Sequence, residues 1–271
     1  MGFLDKLQQA QAAAGSVLCV GLDPEPKRLP IPFSGLDTAE AVRGFCIAIT
    51  GACAPYTAAF KPNLAFFEAL GSDGWRALEA VCQAVHAAGR VLVLDGKRGD
   101  IGNTARRYAH ALYEHLGGDA ATVAPYMGAD SLTPFLQHPG RCAFVLAATS
   151  NPGAAALQGL DVEGVPLYRR VAAMAVDASA GLPGTTGLVV GATRPEMLAD
   201  LRAAFPSTPF LVPGVGAQGG DAVEVMRAAG SGPLLINVGR SILYASSGED
   251  FADVAARQAK RLGQVMTARP D

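Results

Sequence analysis

Residues 91–104 read VLVLDGKRGDIGNT, an apolar run that ends in several charges. The side chains of an extended strand alternate between two faces, so Asp95 and Lys97 are predicted to share a face with Val93. Burying a carboxylate and an ammonium costs several kcal/mol per ion unless partners compensate for the lost hydration. The pattern therefore indicates a strand that opens into a wet, functional pocket. A surface salt bridge at the end of a strand is the alternative for this stretch alone.

The composition is typical of one globular protein without a nucleic-acid or membrane partner. The chain has 271 residues, of which 50% are hydrophobic and 17% are charged. Its net charge of -2 gives no excess of basic residues of the kind that binds nucleic acid or an anionic membrane surface. No apolar run reaches the ~18 residues of a membrane span, and the start lacks a signal-peptide pattern. The five cysteines are odd in number and lack CxxC spacing, which indicates reduced thiols in a cytoplasmic protein.

Around the opening stretch, short apolar runs alternate with helical patterns. Seven further runs have strand character, at residues 16–24, 57–63, 120–125, 142–150, 186–193, 209–215 and 234–242. The intervening helices are predicted near residues 38–54, 75–88, 105–116, 130–137, 167–179, 195–205, 222–230 and 251–266. Eight such units with no linker between them predict an α/β fold, a single (β/α)8 TIM barrel over residues 1–271, rather than an open doubly wound sheet.

Polar residues follow the carboxyl ends of six of these strands. Barrels of this class carry their sites on that face, so the polar side chains are predicted to meet at one mouth. Any one of them alone is more simply an ordinary polar residue at the start of a loop. Their joint occurrence, with both signs of charge, indicates a site composed of Asp23, Lys61, Asp95 with Lys97, Ser150, Gln218 and Arg240.

The last two barrel units carry the motifs PGVGAQGGD and NVGRS, at residues 213–221 and 237–241. Loops at this position of a barrel commonly bind phosphate through backbone N-H groups and a helix N-terminus. The glycines allow close approach of the backbone, Gln218 can donate an amide, and Arg240 can grip phosphate oxygens with two hydrogen bonds. The motifs therefore predict a phosphate site, with simple turn chemistry as the alternative for the glycines.

Together these residues resemble one enzyme family. The run from Asp95 to Ile101, with Thr104 after it, resembles the DxKxxDIxxT signature of orotidine 5'-phosphate decarboxylase, a signature shared with a wider suprafamily of phosphate-binding barrels. The motifs GLDP, FKPN, TSNPG, GAQGG and VGRS occur in the order that this family uses, and the likeness spans residues from about 17 to 243. The sequence LDGKRGDIGNTA and the SNPG loop resemble those of the longer bacterial subgroup of this family, type 2.

The resemblance implies decarboxylation of orotidine 5'-monophosphate to UMP and CO2, the last step of de novo pyrimidine synthesis, without a metal or organic cofactor. Loss of CO2 leaves a carbanion at C6 that the ring π system cannot absorb, so a fixed ammonium must stabilise it. The resemblance gives Lys97 this role and then makes it the general acid that protonates C6. Lys61, Asp95, Lys97 and Asp100 would form an array of alternating charge.

The resemblance also assigns the remaining roles. Asp23 and Lys61 would bind ribose hydroxyls, and Ser150 would bind the pyrimidine amide. The phosphate would be held by Gln218, Arg240 and the Gly239 backbone. Asp100 and Thr104 would reach the neighbouring subunit's site, which implies a symmetric homodimer. A helix cap is the alternative role of Thr104, and the glycine-rich loop at residues 151–165 is a candidate lid.

Two other functions fit parts of the pattern. A magnesium-dependent sugar-phosphate decarboxylase or aldolase of the same suprafamily would need a carboxylate at the second strand end, where this chain has Lys61. A non-catalytic nucleotide-binding barrel would not require two ions of each sign around one pocket. The four histidines, His86, His110, His115 and His138, show no metal-ligand spacing.

Overall fold

Eight parallel strands close into a barrel, as predicted. The computed structural model describes residues 1–216 and 220–267, and its barrel follows the order β1-β10-β9-β8-β5-β4-β3-β2. A separate antiparallel pair, β6 and β7, lies outside the barrel. The strands are β1 (Leu18–Leu22), β2 (Ala59–Pro62), β3 (Val91–Arg98), β4 (Ala120–Val123), β5 (Cys142–Ala148), β6 (Asp161–Val162), β7 (Val165–Pro166), β8 (Thr185–Val190), β9 (Phe210–Pro213) and β10 (Leu234–Val238).

Helices surround the barrel and follow most of its strands. They are α1 (Phe3–Ala14), α2 (Thr38–Cys53), α3 (Leu64–Glu68), α4 (Gly71–Ala87), α5 (Gly102–His110), α6 (Ala129–Leu136), α7 (Ala154–Gln158), α8 (Leu167–Asp177), α9 (Pro195–Ala204), α10 (Ala222–Ala229), α11 (Arg240–Leu243) and α12 (Phe251–Val265). Short 3-10 helices span Pro26–Arg28, Ile31–Phe33 and Ala54–Tyr56, and α5 continues as a π-helix over Ala111–His115. Within the described ranges, no helix is long and apolar enough to cross a membrane.

The segment predicted as a plain glycine-rich loop after β5 is more ordered than the sequence indicated. It contains α7 and the hairpin of β6 and β7. The hairpin turns at Glu163 and Gly164, whose φ angles are +55° and +80°. Two successive positive φ angles match the twist of a two-residue hairpin turn. The strands are only two residues long, so no alternation in the sequence could reveal them.

The side chains of β3 divide between two cores, as the alternation predicted. Val91 and Val93 face the barrel interior, whereas Leu92 and Leu94 pack outward against the helices. At the amino end of the barrel the interior is closed by α1, whose Phe3 ring meets Phe144 edge to face, with ring centres 5.9 Å apart. The interior is therefore open to a ligand at the carboxyl ends of the strands.

An ion pair fixes α1 in this position. Lys6 Nζ lies 2.5 Å from Asp119 Oδ1, and the other carboxylate oxygen of Asp119 accepts the Leu92 backbone N-H at 2.9 Å. Asp119 is almost fully buried, so its charge needs these partners. All five cysteines lie within the described ranges and are buried free thiols, as predicted.

Candidate active site

A bulge in β3 shapes the centre of the site. Leu94 pairs with Ala121 and Arg98 pairs with Val123, so three residues of β3 stand opposite Thr122 alone. Lys97 lies in this bulge with a φ of +45°, a conformation that costs a residue with a side chain about 1–3 kcal/mol. Its backbone N-H donates to Thr122 Oγ1 at 2.9 Å. Strict alternation therefore fails at Lys97, because the bulge turns the chain out of the regular ladder.

Asp95 joins the two lysines of the site. Its Oδ2 accepts a hydrogen bond from Lys61 Nζ at 2.6 Å, and its Oδ1 accepts one from Lys97 Nζ at 2.6 Å. Thr122 Oγ1 donates to Oδ1 as well, at 2.9 Å. The side chain of Lys61 is 4% exposed, that of Asp95 is 9% exposed and that of Lys97 is 51% exposed. The alternative salt bridge between Asp95 and Lys97 does form, but it is not a simple surface pair, because Asp95 is buried and also bonds to the buried Lys61.

The mutual attraction of these charges outweighs the cost of burying them. Burial alone would lower the pKa of Lys61, but the carboxylates of Asp95 and Asp23 raise it above its usual value. Burial alone would raise the pKa of Asp95, but Lys61 and then Lys97 hold it well below its usual range. At neutral pH Lys61 and Asp95 are therefore both ionised before any ligand binds.

Asp100 and Thr104 stand apart from this array. Asp100 follows β3, accepts the Ile101 backbone N-H at 2.8 Å and forms no ion pair with any described residue. Thr104 is exposed on α5. Its alternative role as a helix cap is wrong, because α5 begins at Gly102 and Ile101 occupies the cap position. Neither side chain bonds to Lys61 or Lys97 in this chain.

Asp23 and Ser150 lie just past the carboxyl ends of β1 and β5, and each has a glycine beside it. Asp23 Oδ2 is 3.5 Å from the place that a β-carbon on Gly239 would occupy, and its Oδ1 is buried without a hydrogen-bond partner among the described residues. A β-carbon on Gly191 would stand 2.9 Å from Ser150 Cβ, closer than packing allows. Gly191 therefore lets the chain at Ser150 approach the end of β8.

The two predicted phosphate loops meet. A β-carbon on Gly216 would lie 3.7 Å from the Ser241 hydroxyl, which places the loop after β9 beside α11. Gly214 and Gly216 have φ angles of +105° and +76°, which only glycine adopts readily. Arg240 is exposed as the first residue of α11. Gln218 lies outside the described residues.

Two polar residues at the mouth were not assigned a role from the sequence. Thr122 forms hydrogen bonds with both Asp95 and the Lys97 backbone. The sequence feature that pointed to it was a single hydroxyl residue in the otherwise apolar run AATV. Asn237 is buried on β10 and stood unassigned within the quoted NVGRS motif. The described residues contain no group of three His, Cys, Asp or Glu side chains arranged to hold a metal ion.

Comparison with known proteins accounts for this arrangement. The profile of the Orotidine 5'-phosphate decarboxylase / HUMPS family matches residues 16–253. An orotidine 5'-phosphate decarboxylase of Roseiflexus castenholzii is 47% identical over 99% of this chain and 98% of its own length. This chain belongs to the orotidine 5'-phosphate decarboxylase family. A further member, from Delftia acidovorans, is 47% identical over 98% of both chains.

Solved structures of the decarboxylase family have the same fold. The structure of Leishmania donovani OMP decarboxylase superposes with a TM-score of 0.83 at 40% identity, covering 99% of this chain and 100% of that one. A putative orotidine-monophosphate-decarboxylase from Toxoplasma gondii gives a TM-score of 0.86 at 37% identity, covering 98% and 97%. The chain is thus an enzyme of the decarboxylase family, and the structural likeness extends over nearly all of it.

Proposed function

We propose that this enzyme converts orotidine 5'-monophosphate to UMP and CO2, the last step of de novo pyrimidine synthesis. The observation that carries the proposal is the position of Asp95, buried between the ammonium groups of Lys61 and Lys97 with 2.6 Å to each. A site that only binds a nucleotide does not need a second ammonium over the base. The relatives at 47% identity bear the name of this activity.

Lys97 is the group that acts on C6. Loss of CO2 breaks the bond from C6 to the carboxyl carbon and leaves its electron pair on C6, in an orbital orthogonal to the ring π system. A fixed ammonium offers the negative charge electrostatic stabilisation that costs no reorganisation during the reaction. Lys97 Nζ then transfers a proton to C6, and the neutral amine regains a proton from water. Its half-exposed side chain supports this role, since it can reach a ligand in the mouth.

Lys61 and Asp23 hold the ribose. Lys61 is buried below the mouth and keeps its charge through Asp95, so it serves binding and orientation. Asp23 has a buried carboxylate oxygen without a partner, and a ribose hydroxyl is a donor that suits it. Ser150 is proposed to bind the pyrimidine amide, from its place just past β5.

The phosphate is proposed to bind where the loops after β9 and β10 meet. Arg240 supplies the positive charge, and the Gly239 backbone with Gln218 supplies further donors. The phosphate is remote from C6, so its binding energy can order the site and raise the rate as well as the affinity. The position of Gly216 beside Ser241 supports a single phosphate pocket composed of both loops.

We further propose a symmetric homodimer in which Asp100 and Thr104 reach the partner's site. Asp100 has no ionic partner among the described residues of its own subunit. The surface around it carries exposed apolar side chains, with Ile101 at 55%, Tyr126 at 87% and Met127 at 44% exposure. A β-carbon on Gly99 would lie 3.3 Å from Met127 Cε, so this patch adjoins Asp100. An exposed apolar patch beside unpaired charge favours a second copy as its partner.

The reaction is proposed to need no metal ion. In a magnesium-dependent relative, a carboxylate would stand at the end of β2. Here Lys61 occupies that place, and both oxygens of Asp95 already accept hydrogen bonds from ammonium groups. To bind Asp95, a divalent cation would have to displace one of the two lysines and would then lie next to the positive charge of the other lysine. The buried free thiols support the accompanying proposal of a reducing, cytoplasmic location.

The test is a direct measurement of the product. Purified enzyme is incubated with orotidine 5'-monophosphate and EDTA, the fall in pyrimidine absorbance is followed, and UMP and CO2 are quantified. We expect one UMP and one CO2 per substrate consumed, at the same rate with and without EDTA. Activity that disappears with EDTA and returns with Mg²⁺ would contradict the metal-free reaction, and a protein that forms no UMP would contradict the proposed activity.

A further inference from the structure

Polar side chains that face the barrel interior form a belt around half of the mouth. Thr122 on β4, Asp95 on β3 and Lys61 on β2 are joined by hydrogen bonds. The next strand, β1, contributes Gly21, which pairs in register with Lys61. Beyond it, β10 contributes Asn237. The belt therefore has a gap where Gly21 has no side chain.

Asn237 occupies the space that Gly21 leaves. Its Oδ1 and Nδ2 are 3.1 and 3.2 Å from the place that a β-carbon on Gly21 would take. Asn237 is only 9% exposed, and its Oδ1 is buried with no hydrogen-bond partner in the part of the chain that the structure describes. A buried acceptor left without a donor is destabilising, and native proteins retain few such atoms. The amide is thus a candidate for a role in the site.

Lys61 has donors to match this acceptor. Its ammonium carries three N-H groups, and the structure pairs one of them, with Asp95 Oδ2. Lys61 is 3% exposed, so water does not readily satisfy the other two. The buried oxygens of Asp23 and Asn237 lack donors at the same end of the barrel. A buried ammonium is most stable, and most firmly oriented, when each of its N-H groups has an acceptor.

We infer that Asn237 is a positioning residue for Lys61. Its Oδ1 accepts a hydrogen bond from the Lys61 ammonium across the space above Gly21, by a rotation of the amide or through one water molecule. This bond fixes Lys61 for the ribose and keeps Asp95 directed at Lys97. The inference rests on the proposed function, in which Lys61 orients the nucleotide.

Nuclear magnetic resonance of the lysine ammonium groups tests the contact without any turnover. The chain has five lysines, so protein labelled with 15N at lysine Nζ gives few signals, and Lys61→Met assigns the one of interest. In Asn237→Leu we expect the Lys61 signal to shift and its protons to exchange with water about tenfold faster. Asn237→Asp keeps an acceptor oxygen and should retain slow exchange. The Lys6 and Lys260 signals serve as internal references.

Steady-state kinetics test the consequence. Asn237→Leu should lower kcat/KM for orotidine 5'-monophosphate by about tenfold, with Asn237→Asp closer to the wild type. Thr57→Val is the matched control, since Thr57 also has a buried hydroxyl without a partner but precedes β2, at the opposite end of the barrel. It should leave kcat/KM unchanged.

An unaltered Lys61 signal in Asn237→Leu would overturn the inference, as would equal effects of the Leu and Asp variants on that signal. If the wild type fails to decarboxylate orotidine 5'-monophosphate, the proposed function fails. The resonance measurement then still decides whether Asn237 contacts Lys61.

Discussion

Lys61 Nζ lies 2.6 Å from Asp95 Oδ2, and both side chains are almost completely enclosed by the barrel. Asp95 accepts a hydrogen bond from Lys97 with its other oxygen, so one carboxylate orients both ammonium groups. The bulge at Lys97 and the hydroxyl of Thr122 hold this geometry from the side of β4. Charge pairing within the fold therefore orders the site. Replacing each partner should have a measurable effect on stability or activity.

Replacing Asp95 tests this pairing through stability. Asp95→Asn removes the carboxylate that bonds directly to the buried Lys61 ammonium, which should lower the free energy of unfolding at pH 7 by about 3–5 kcal/mol. Chemical denaturation measures the change. Asp73→Asn is the control, because Asp73 pairs with Arg76 on the surface of α4 and both are more than half exposed. A loss of about 1 kcal/mol or less is expected there, and an equally small loss at Asp95 would contradict the account.

Acid should weaken the same pair. Lys61 and then Lys97 overcome the effect of burial and hold the pKa of Asp95 below its usual range. A depressed carboxyl pKa contributes stability that is present above the unfolded pKa, near 4, and is lost as pH falls through the folded pKa. The stability difference between wild type and Asp95→Asn should therefore be constant near neutrality and shrink below about pH 4. Denaturation at a series of pH values measures it, and a difference that grows in acid has the wrong sign.

Arg240 should be needed for the substrate phosphate. Arg240→Ala is expected to lower kcat/KM by about 100-fold, or about 3 kcal/mol, through lost charge-assisted hydrogen bonds. Arg227→Ala is a suitable control, because Arg227 is 79% exposed on the neighbouring helix α10 and pairs only distantly with Glu224, at 3.8 Å. If the two alanine variants have the same kcat/KM, the phosphate is not held at α11.

Mixing two inactive variants tests whether Asp100 crosses the dimer interface. In a dimer of one Lys97→Met and one Asp100→Asn subunit, shared sites would place both defects in one site and leave the other intact. Random exchange at equal amounts should then restore about a quarter of the wild-type activity. Each variant alone should remain nearly inactive. If every site is completed within one subunit, the mixture gains nothing over its components.

Much of the barrel was predictable from the sequence because its strands are short, apolar and regularly spaced. The alternation in β3 was sufficient to direct Asp95 toward Lys61 and away from the helices. The bulge at Lys97 was not predictable, since it depends on Thr122 of a neighbouring strand. The hairpin of β6 and β7 could not be predicted because two-residue strands show no alternation. The position of the Asn237 side chain could not be predicted either, because it depends on the space left by Gly21 of the neighbouring strand β1.

The most direct test of the central claim compares wild type and Lys97→Met in the decarboxylation of orotidine 5'-monophosphate. The methionine side chain preserves most of the lysine volume and removes its charge and its proton. We expect kcat to fall by at least about 10⁴-fold, because both the stabilisation of the carbanion and the general acid are lost. The folded variant should still bind UMP, as measured by calorimetry. A Lys97→Met enzyme that binds UMP and keeps a kcat within about tenfold of the wild type would contradict the account.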